Sequence, residues 1–529
     1  MKTSLVLSVC VAAIVRAQGP LTPPGAPAPA MKSLAQVEPR FPVGSAPVTL
    51  SQPGSYYLTT NLSGTVTVAT NNVALDLMGF AIVASSGNAL AFSGALRNLR
   101  VSNGLLSAPA GMGINFSSST SNANSVIENL RVGACLSHGI SVGGGFVVKG
   151  CRVYGAGGSG INVSGNSSVR ECTVEGCGTG LRVVGRGAVT EGNIVRQNTD
   201  NYDLADGNQL SLLLCELPES FIVPCSVRLA GSLVMAGPAD GITVLADNVT
   251  IDLAGHALIG PGTGSGNGVY QHYSYRGLRV LNGTVEGWGG AGKGGLYLMG
   301  VSSIITGVHA LMNSAGFVTG PACVLTGCKA DGNIRSGFSL GTVNTAAGCT
   351  ADANGAHGFE VGAGSKVSEC SASNNASNGF DVVYAGWGLA CTAYHNYLNG
   401  FYGMAGAIFS DCQARESRVD GFLLDSGCEI VRCSGAYNGY DGDGAGFHVT
   451  GTNNRLAENT AQSNDRGFDV DGSWNLLVRN AATWNTANWA VASENACAVT
   501  KVTNTTSVIS GDSGGRAIGP ADPFVNFTY

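Results

Sequence analysis

Two carboxylates and a histidine have the spacing needed for acid–base chemistry. Glu360 and Asp381 occupy equivalent places in two successive 21-residue repeats, and His357 lies three residues before Glu360. Carboxylates about 5 Å apart can act as acid and nucleophile on a glycosidic bond, and each raises the pKa of the other. The pattern therefore predicts Glu360, Asp381 and His357 as catalytic residues. The alternative is the solvated polar face that a repeat protein needs in any case.

More acidic residues gather where the chain inserts four residues into its repeat. Asp441 and Asp443 lie in the insertion at 438–446, and Asp469 and Asp471 belong to the next repeat. Oxygen ligands gathered in this way suit Ca²⁺. These four aspartates are the predicted metal ligands, and no other cofactor is expected. The alternative is a flexible Asp-Gly-Asp-Gly turn.

Aromatic residues lie between the two acidic groups. Their rings suit stacking against sugars, although some could instead pack at turns. The predicted substrate-binding residues are Tyr384, Trp387, Tyr402, Tyr440 and His448.

The elements that position these side chains follow from a strict period. A phenylalanine after a glycine recurs every 21 residues through the second half of the chain. The column consists of Phe317, Phe338, Phe359, Phe380, Phe401, Phe422 and, after the insertion, Phe447 and Phe468, with Trp489 next. A fixed period of this length indicates a solenoid. The many glycines and β-branched residues exclude a helical one, so the fold class is all-β, a parallel β-helix with ~21-residue coils.

Each coil contains a short strand with one inward and one outward face. In Gly358-Phe359-Glu360-Val361, alternation turns Phe359 and Val361 inward and Glu360 outward. The glycine is predicted to form a turn with positive φ before the strand. The outward column is Val318, Ser339, Glu360, Asp381, Tyr402, Leu423, His448, Asp469 and Ala490.

Two further columns keep the same interval. The first contains Cys328, Cys349, Cys370, Cys391, Cys412 and Cys433, and the second contains Asn333, Asn354, Asn375, Asn396, Ser417 and Asn438. The cysteines are predicted to stack as free thiols and the asparagines to hydrogen-bond along the axis at a turn. The better candidates for disulfides, if any form, are Cys323–Cys328, Cys428–Cys433 and Cys215–Cys225.

The first half repeats more loosely, and one segment is duplicated. Ile140, Ile161, Leu181 and Tyr202 form one column there. Residues 66–80 align with 242–256 around the shared pattern Asn-Val-x-(Leu/Ile)-Asp-Leu. This duplication predicts two β-helical units, each opening with the same motif.

The chain resembles secreted right-handed parallel β-helix repeat proteins of the pectate-lyase-like superfamily. The resemblance lies in this opening motif, in the Gly-Phe-x-Val coils and in the Cys and Asn columns. The resemblance covers nearly the whole chain after its first segment and implies a right-handed coil. It leaves the activity open, because that superfamily includes lyases, hydrolases, epimerases, esterases and non-catalytic surface proteins.

The predicted organisation has six segments. They are a signal peptide at 1–17, a Pro/Ala-rich linker at 18–47, a first β-helix unit at 48–210, a connector at 211–225, a second unit at 226–497 and a C-terminal tail or cap at 498–529.

The first residues and the charge indicate the compartment and the partners. Lys2 precedes an apolar run from Leu5 to Val15, and a small residue, Ala17, follows at the expected cleavage site. This arrangement predicts a signal peptide and secretion to the extracellular space or the cell surface. The run is too short to span a membrane. A net charge of −6 argues against nucleic acid. The expected partner is therefore a polysaccharide or cell-surface glycan, bound by a lyase, hydrolase or epimerase, with a non-catalytic adhesive solenoid as the alternative.

Overall fold

The computed structural model describes residues 39–116, 124–205, 209–214, 221–223, 225–262, 264–440, 442–501, 510–511 and 524–528. These residues form strands, turns and bends and contain no helix, which confirms the all-β prediction. None of them forms an apolar helix long enough to cross a membrane. The predicted signal peptide, Cys215 and Asp441 lie outside the described residues.

The strands pair in parallel with the strands of the next coil and form three long faces. The first face, which carries the phenylalanine column, consists of Val48–Leu50, Val66–Val68, Leu90–Phe92, Ile114–Phe116, Ile140–Val142, Ser159–Ser164, Thr179–Val184, Asp200–Leu204, Phe221–Val223, Ile242–Val244, Val269–Gln271, Leu296–Leu298, Phe317–Thr319, Phe338–Leu340, Phe359–Val361, Phe380–Val382, Phe401–Gly403, Phe422–Leu424, Ala445–Val449, Arg466–Val470, Ala487–Val491 and Ser510–Gly511.

The second face follows the first along each coil. It consists of Phe41–Val43, Gly54–Leu58, Val73–Asp76, Phe146–Lys149, Ser168–Arg170, Val189–Glu191, Ser226–Leu229, Thr250–Asp252, Val324–Thr326, Thr345–Ala347, Lys366–Ser368, Trp387–Leu389, Ile408–Ser410, Glu429–Val431, Arg455–Ala457, Leu476–Val478 and Ala496–Cys497.

The third face completes the coil. It consists of Leu62–Ser63, Ala81–Val83, Arg152–Ala156, Thr173–Glu175, Ile194–Arg196, Leu233–Val234, Ala257–Ile259, Lys329–Asp331, Thr350–Asp352, Ser371–Ser373, Thr392–Tyr394, Gln413–Arg415, Ser434–Ala436, Thr460–Gln462, Ala481–Thr483, Val499–Lys501 and Asn526–Thr528. Longer strands run through both the second and third faces at Leu99–Ser107, Ser125–Cys135, Gln209–Leu214, Arg279–Glu286 and Ile304–Leu311.

The inward residues form the predicted stack. From Phe317 to Trp489, successive rings lie between 4.5 and 4.9 Å apart and within 11° of parallel. All of these side chains are buried. The residue after each ring faces outward, as predicted, and Glu360 pairs in register with Asp381 on the next coil.

The glycines before the phenylalanines are required for a different reason than the sequence suggested. The prediction of a positive φ there is wrong, because the left-handed residues of these coils lie at other positions. A Cβ on Gly358 would stand 2.6 Å from the carbonyl oxygen of Gly379 and 2.8 Å from Nδ2 of Asn375. Only glycine therefore leaves room for the next coil.

The asparagine column forms the predicted ladder inside the turn between the third and first faces. The backbone N–H of Asn354 donates to Oδ1 of Asn375 at 3.1 Å, and that of Asn375 donates to Asn396 in the same way. The amide Nδ2 of Asn375 donates to the carbonyl oxygen of Ala351 at 3.2 Å. Each asparagine thus satisfies buried backbone groups of neighbouring coils.

The cysteine column is buried, and its thiols are free. All 14 cysteines among the described residues are unbridged. The disulfides predicted at Cys323–Cys328 and Cys428–Cys433 are therefore wrong. Their thiols donate to backbone carbonyls instead, as Cys328 does to Ile305 at 3.6 Å. The predicted pair Cys215–Cys225 includes a residue outside the described range.

Strand pairing continues across the predicted connector. Gln209–Leu214 pairs with Val189–Glu191 and Ile194–Arg196 on one side and with Ser226–Leu229 on the other. Two hydrophobic cores, one in each half, both pack against Tyr202 and Leu204. The division into two units remains a prediction.

Candidate functional site

A groove runs along the outer side of the first face and the turn that precedes it. We call it the front groove. It has a volume of about 590 Å³, and its lining includes Lys293, Tyr297, Arg335, His357 and Glu360. Lys293 and Arg335 are exposed at its edge, whereas the other three side chains are half-buried. The lining comes from four successive coils, so the groove follows the axis of the solenoid.

Glu360 is held inside the front groove by two hydroxyl groups. The hydroxyl of Ser336 donates to Oε1 at 2.6 Å, and that of Ser339 donates to Oε2 at 2.8 Å. Both carboxylate oxygens therefore have a fixed direction. The arrangement presents an oriented hydrogen-bond acceptor to anything that lies in the groove.

Asp381 and His357 form a second pair beside Glu360. Nδ1 of His357 lies 3.6 Å from Oδ2 of Asp381, and this nitrogen is buried without a hydrogen-bond partner. Burial raises the pKa of Asp381, against the lowering effects of His357 and of Nδ2 of Asn378. A carboxyl group with a raised pKa next to an imidazole is suited to general acid–base chemistry. The three predicted catalytic residues are thus brought together.

The predicted sugar-binding residues are divided among three places. Tyr402 continues the outward column and pairs in register with Asp381, and burial and then Asp381 raise the pKa of its phenol. Tyr384 and Trp387 are exposed at the corner between the first and second faces, away from the lining of the front groove. Tyr440 lies at the corner between the third and first faces, with its ring 6.0 Å from that of His395.

His448 lies among carboxylates on the first face. Its Nδ1 lies 3.0 Å from Oδ2 of Asp420, and its Nε2 lies 3.2 Å from Oδ2 of Asp471 and 4.0 Å from Asp469. Burial lowers the pKa of His448, but the hydrogen bond and charge of Asp420, with Asp471 and Asp469, outweigh it and raise the pKa to about 9. The ring is therefore an imidazolium that donates from both nitrogens.

Arg466 is a cation of this cluster that sequence reasoning missed. Its guanidinium pairs with Asp443 and Asp469 and lies 3.7 Å from Asp465. Burial raises the pKa of Asp469, whereas Arg466 and His448 lower it.

Part of the negative charge that suggested Ca²⁺ is thus compensated within the protein. Oxygen atoms of Asp469 and Asp471 and a nitrogen of His448 still lie within 4.8 Å of one another. A protonated imidazole offers no lone pair to a metal, so this nitrogen could bind a cation only after losing its proton. The Ca²⁺ site at Asp441, Asp443, Asp469 and Asp471 remains a prediction.

Tyr297 could have been found by extending the outward column. It pairs in register with Val318, which leads through Ser339 to Glu360. In that coil Leu296 takes the place of the phenylalanine, so the coil was not recognised from the phenylalanine repeat. Lys293 and Arg335 lie in turns outside any column, and the sequence carried no signal for them.

Residues 59–200 match the family model described as "Right handed beta helix region". No curated protein sequence matches the chain. The parallel ladders show that the described residues form a parallel β-helix, and residues 59–200 match the model of the right-handed form.

Three solved structures are similar to this chain. The A-module of Azotobacter vinelandii mannuronan C-5 epimerase AlgE4 is 12% identical, with 80% of this chain and 90% of that chain covered and a TM-score of 0.23. A GH87 α-1,3-glucanase from Streptomyces thermodiastaticus is 14% identical, with coverages of 78% and 63% and a TM-score of 0.16. The tailspike of E. coli bacteriophage HK620 is 12% identical, with coverages of 78% and 73% and a TM-score of 0.15. Values this low leave the activity of this chain open.

Proposed function

We propose that this right-handed parallel β-helix protein binds an extended polysaccharide in the front groove. The observation that carries the proposal is the direction of the groove, whose lining comes from four successive coils. Coils rise by about 4.8 Å, which is close to the length of one sugar unit in an extended chain. Successive coils can therefore contact successive sugar units.

The charges of the groove favour a polysaccharide with carboxylate groups. Lys293 and Arg335 are exposed at its edge, and Tyr297 offers a ring beside them. Arginine and lysine bind carboxylates through charge-assisted hydrogen bonds. Glu360 and its two serine partners then accept hydrogen bonds from sugar hydroxyls deeper in the groove.

A proton-transfer step on the bound polymer is supported by one further observation. Asp381 combines a raised pKa with a histidine at 3.6 Å and pairs in register with Glu360, and His357 lies three residues before Glu360 in the same coil. Asp381 and His357 are therefore the proposed acid–base pair of a lyase, hydrolase or epimerase. The alternative is non-catalytic display, favoured by the hydrogen bonds that occupy both oxygens of Glu360.

The test is a panel of acidic and neutral polysaccharides, read for binding and for unsaturated or reducing-end products. Lys293→Gln with Arg335→Gln should weaken binding of the acidic polymers and reduce its salt dependence. Asp381→Asn should abolish product formation but retain binding if the pair is catalytic. Glu369→Gln is the matched control, because Glu369 is exposed in the turn after the second-face strand of a neighbouring coil.

Two results decide between the alternatives. Binding without any product, equal in wild type and Asp381→Asn, would establish the non-catalytic reading. Binding that is unaffected by the Lys293 and Arg335 substitutions would contradict the front groove as the site.

A further inference from the structure

A second recess lies at the corner between the third and first faces, several coils beyond the front groove. We call it the corner pocket. It has a volume of about 860 Å³, and its lining includes Tyr437, Tyr440 and Trp484 together with Arg415, Glu416 and Asp465. It shares no lining residue with the front groove. We infer that the corner pocket is a separate saccharide-binding site that takes an uncharged pyranose ring by stacking on its aromatic side chains.

Three aromatic rings are exposed in the corner pocket. The exposed fractions are 44% for Tyr437, 54% for Tyr440 and 78% for Trp484. Two of the rings are held in place, since the guanidinium of Arg415 lies 5.0 Å from the centre of Tyr437 and His395 is nearly parallel to Tyr440. Exposed, oriented rings next to polar groups suit the apolar faces and hydroxyl edges of a sugar.

Tyr437 and Trp484 also occupy backbone positions that disfavour large side chains. Both have φ of 58°, in the left-handed region. Equivalent places in other coils all have φ between 51° and 61° and are occupied by Met312, Gly332, Ala353, Asn374, His395, Glu416 and Ser463. Only Gly332 and Asn374 are of the types that adopt this conformation at least cost. Aromatic residues there add strain and expose apolar surface. Trp474 shares this conformation outside the pocket, so it is the gathering of Tyr437, Tyr440 and Trp484 around one recess that indicates a role in binding.

The charged side chains that line the pocket have partners of opposite charge, although Arg466 is shared by Asp465, Asp443 and Asp469. Nε of Arg415 lies 3.0 Å from Oε1 of Glu416, and the hydroxyl of Tyr394 donates to Oε2 of the same carboxylate at 2.9 Å. Asp465 lies 3.7 Å from Nε of Arg466. A charged ligand would have to break these pairs, whereas a neutral sugar can use their remaining hydrogen-bonding capacity. These pairs distinguish the corner pocket from the front groove, which is lined by the exposed Lys293 and Arg335.

The test uses calorimetric titration of the full chain with cellohexaose, laminarihexaose, maltohexaose, mannohexaose and hexagalacturonate. At least one of the four neutral hexasaccharides should bind the wild type, and Trp484→Gly and Tyr437→Gly should each weaken that binding at least tenfold. The melting temperature of both variants should be equal or higher, because glycine removes the left-handed strain. Weaker binding by a protein of equal or higher stability separates recognition from a folding defect.

Trp474→Gly is the matched control. Trp474 is 68% exposed and has φ of 63°, but it lies in the turn between the first and second faces and does not line the corner pocket. Its replacement should leave affinity unchanged. Lys293→Gln with Arg335→Gln should also leave binding of the neutral hexasaccharide intact, which separates this site from the front groove. No binding of any neutral hexasaccharide, or equal binding by Trp484→Gly, overturns the inference.

Discussion

At the scale of the residue, His448 makes stability depend on pH. Its pKa is raised from 6.5 to about 9 by the carboxylates around it. The protonated form is therefore favoured in the folded state. The stabilisation is complete below the unfolded pKa of 6.5 and is lost as pH rises through 9. The free energy of unfolding should decrease by up to about 3 kcal/mol across this interval, as measured by urea denaturation at each pH.

His448→Gln is the control for this effect, because glutamine keeps a hydrogen-bond donor but cannot be protonated. The variant should lose most of the decrease between pH 6.5 and about 8, because above that pH the buried thiols, whose pKa is raised from 9.0, lower the stability further as the thiols of the unfolded chain ionise. An unchanged pH profile in this variant would show that another group titrates.

Arg466, the cation in the acidic cluster, provides a test of the predicted Ca²⁺ site. Arg466 pairs with Asp443 and Asp469, so a Ca²⁺ ion would have to displace its guanidinium. We expect millimolar Ca²⁺ to raise the melting temperature of Arg466→Gln more than that of the wild type. Adding Asp443→Asn to Arg466→Gln should remove the difference. Identical melting in Ca²⁺ and in chelator for wild type and Arg466→Gln would exclude a site there.

At the scale of the element, the asparagine ladder has one weak position. Ser417 replaces asparagine, and its hydroxyl is buried without a hydrogen-bond partner. Asparagine at 417 would place Nδ2 near the carbonyl oxygen of Ala393, as Asn396 does with Ala372 at 3.0 Å. Ser417→Asn should therefore stabilise the protein by about 1 kcal/mol, the usual net value of one buried hydrogen bond. Thermal or urea unfolding provides the measurement.

The reverse substitution serves as the control for the ladder. Asn375→Ser removes an amide that bonds Asn354, Ala351 and Asn396, so it should destabilise the protein by about 1–3 kcal/mol. If both substitutions destabilise the protein, the space at Ser417 cannot accept an asparagine side chain. The coils would then differ in which residue they accept at the ladder position.

At the scale of the whole molecule, the solenoid protects its thiols. All 14 described cysteines are free and buried. The hydrogen bond with Cys349 lowers the pKa of Cys370, but the bond with Cys391 and burial raise it to about 12 overall. The reactive thiolate of Cys370 is therefore scarce in the native state, whereas the hydrogen bond with Cys151 lowers the pKa of Cys172, which is protected by burial. A thiol-specific reagent should label almost none of these residues until the protein is unfolded, and without reductant should then label at least these 14.

Local unfolding would give a different labelling pattern. Fast reaction of only a few cysteines in the native protein would locate coils that open independently, since repeats in a solenoid contact only their neighbours. Disulfide-linked peptides between successive column members would contradict the free thiols.

The sequence alone determined the repeat, the faces and the two ladders. A 21-residue period places equivalent residues on successive coils, and alternation along each strand decides which side chains face the core. For this reason Phe380 could be placed in the stack, Asn375 in the ladder, and Glu360 next to Asp381 on the outer surface. These are properties of spacing and require no knowledge of neighbouring side chains.

Only the tertiary structure decided what the outward side chains contact. Arg466 reaches Asp443 across a coil, and the partners of His448 lie 23 and 28 residues away. Lys293 and Arg335 both line the front groove, although they lie in turns at positions that do not recur in the 21-residue repeat. The glycines before the rings are needed for clearance to the next coil. Such contacts depend on side-chain length, turn shape and the distance between stacked coils, which the period of a sequence does not contain.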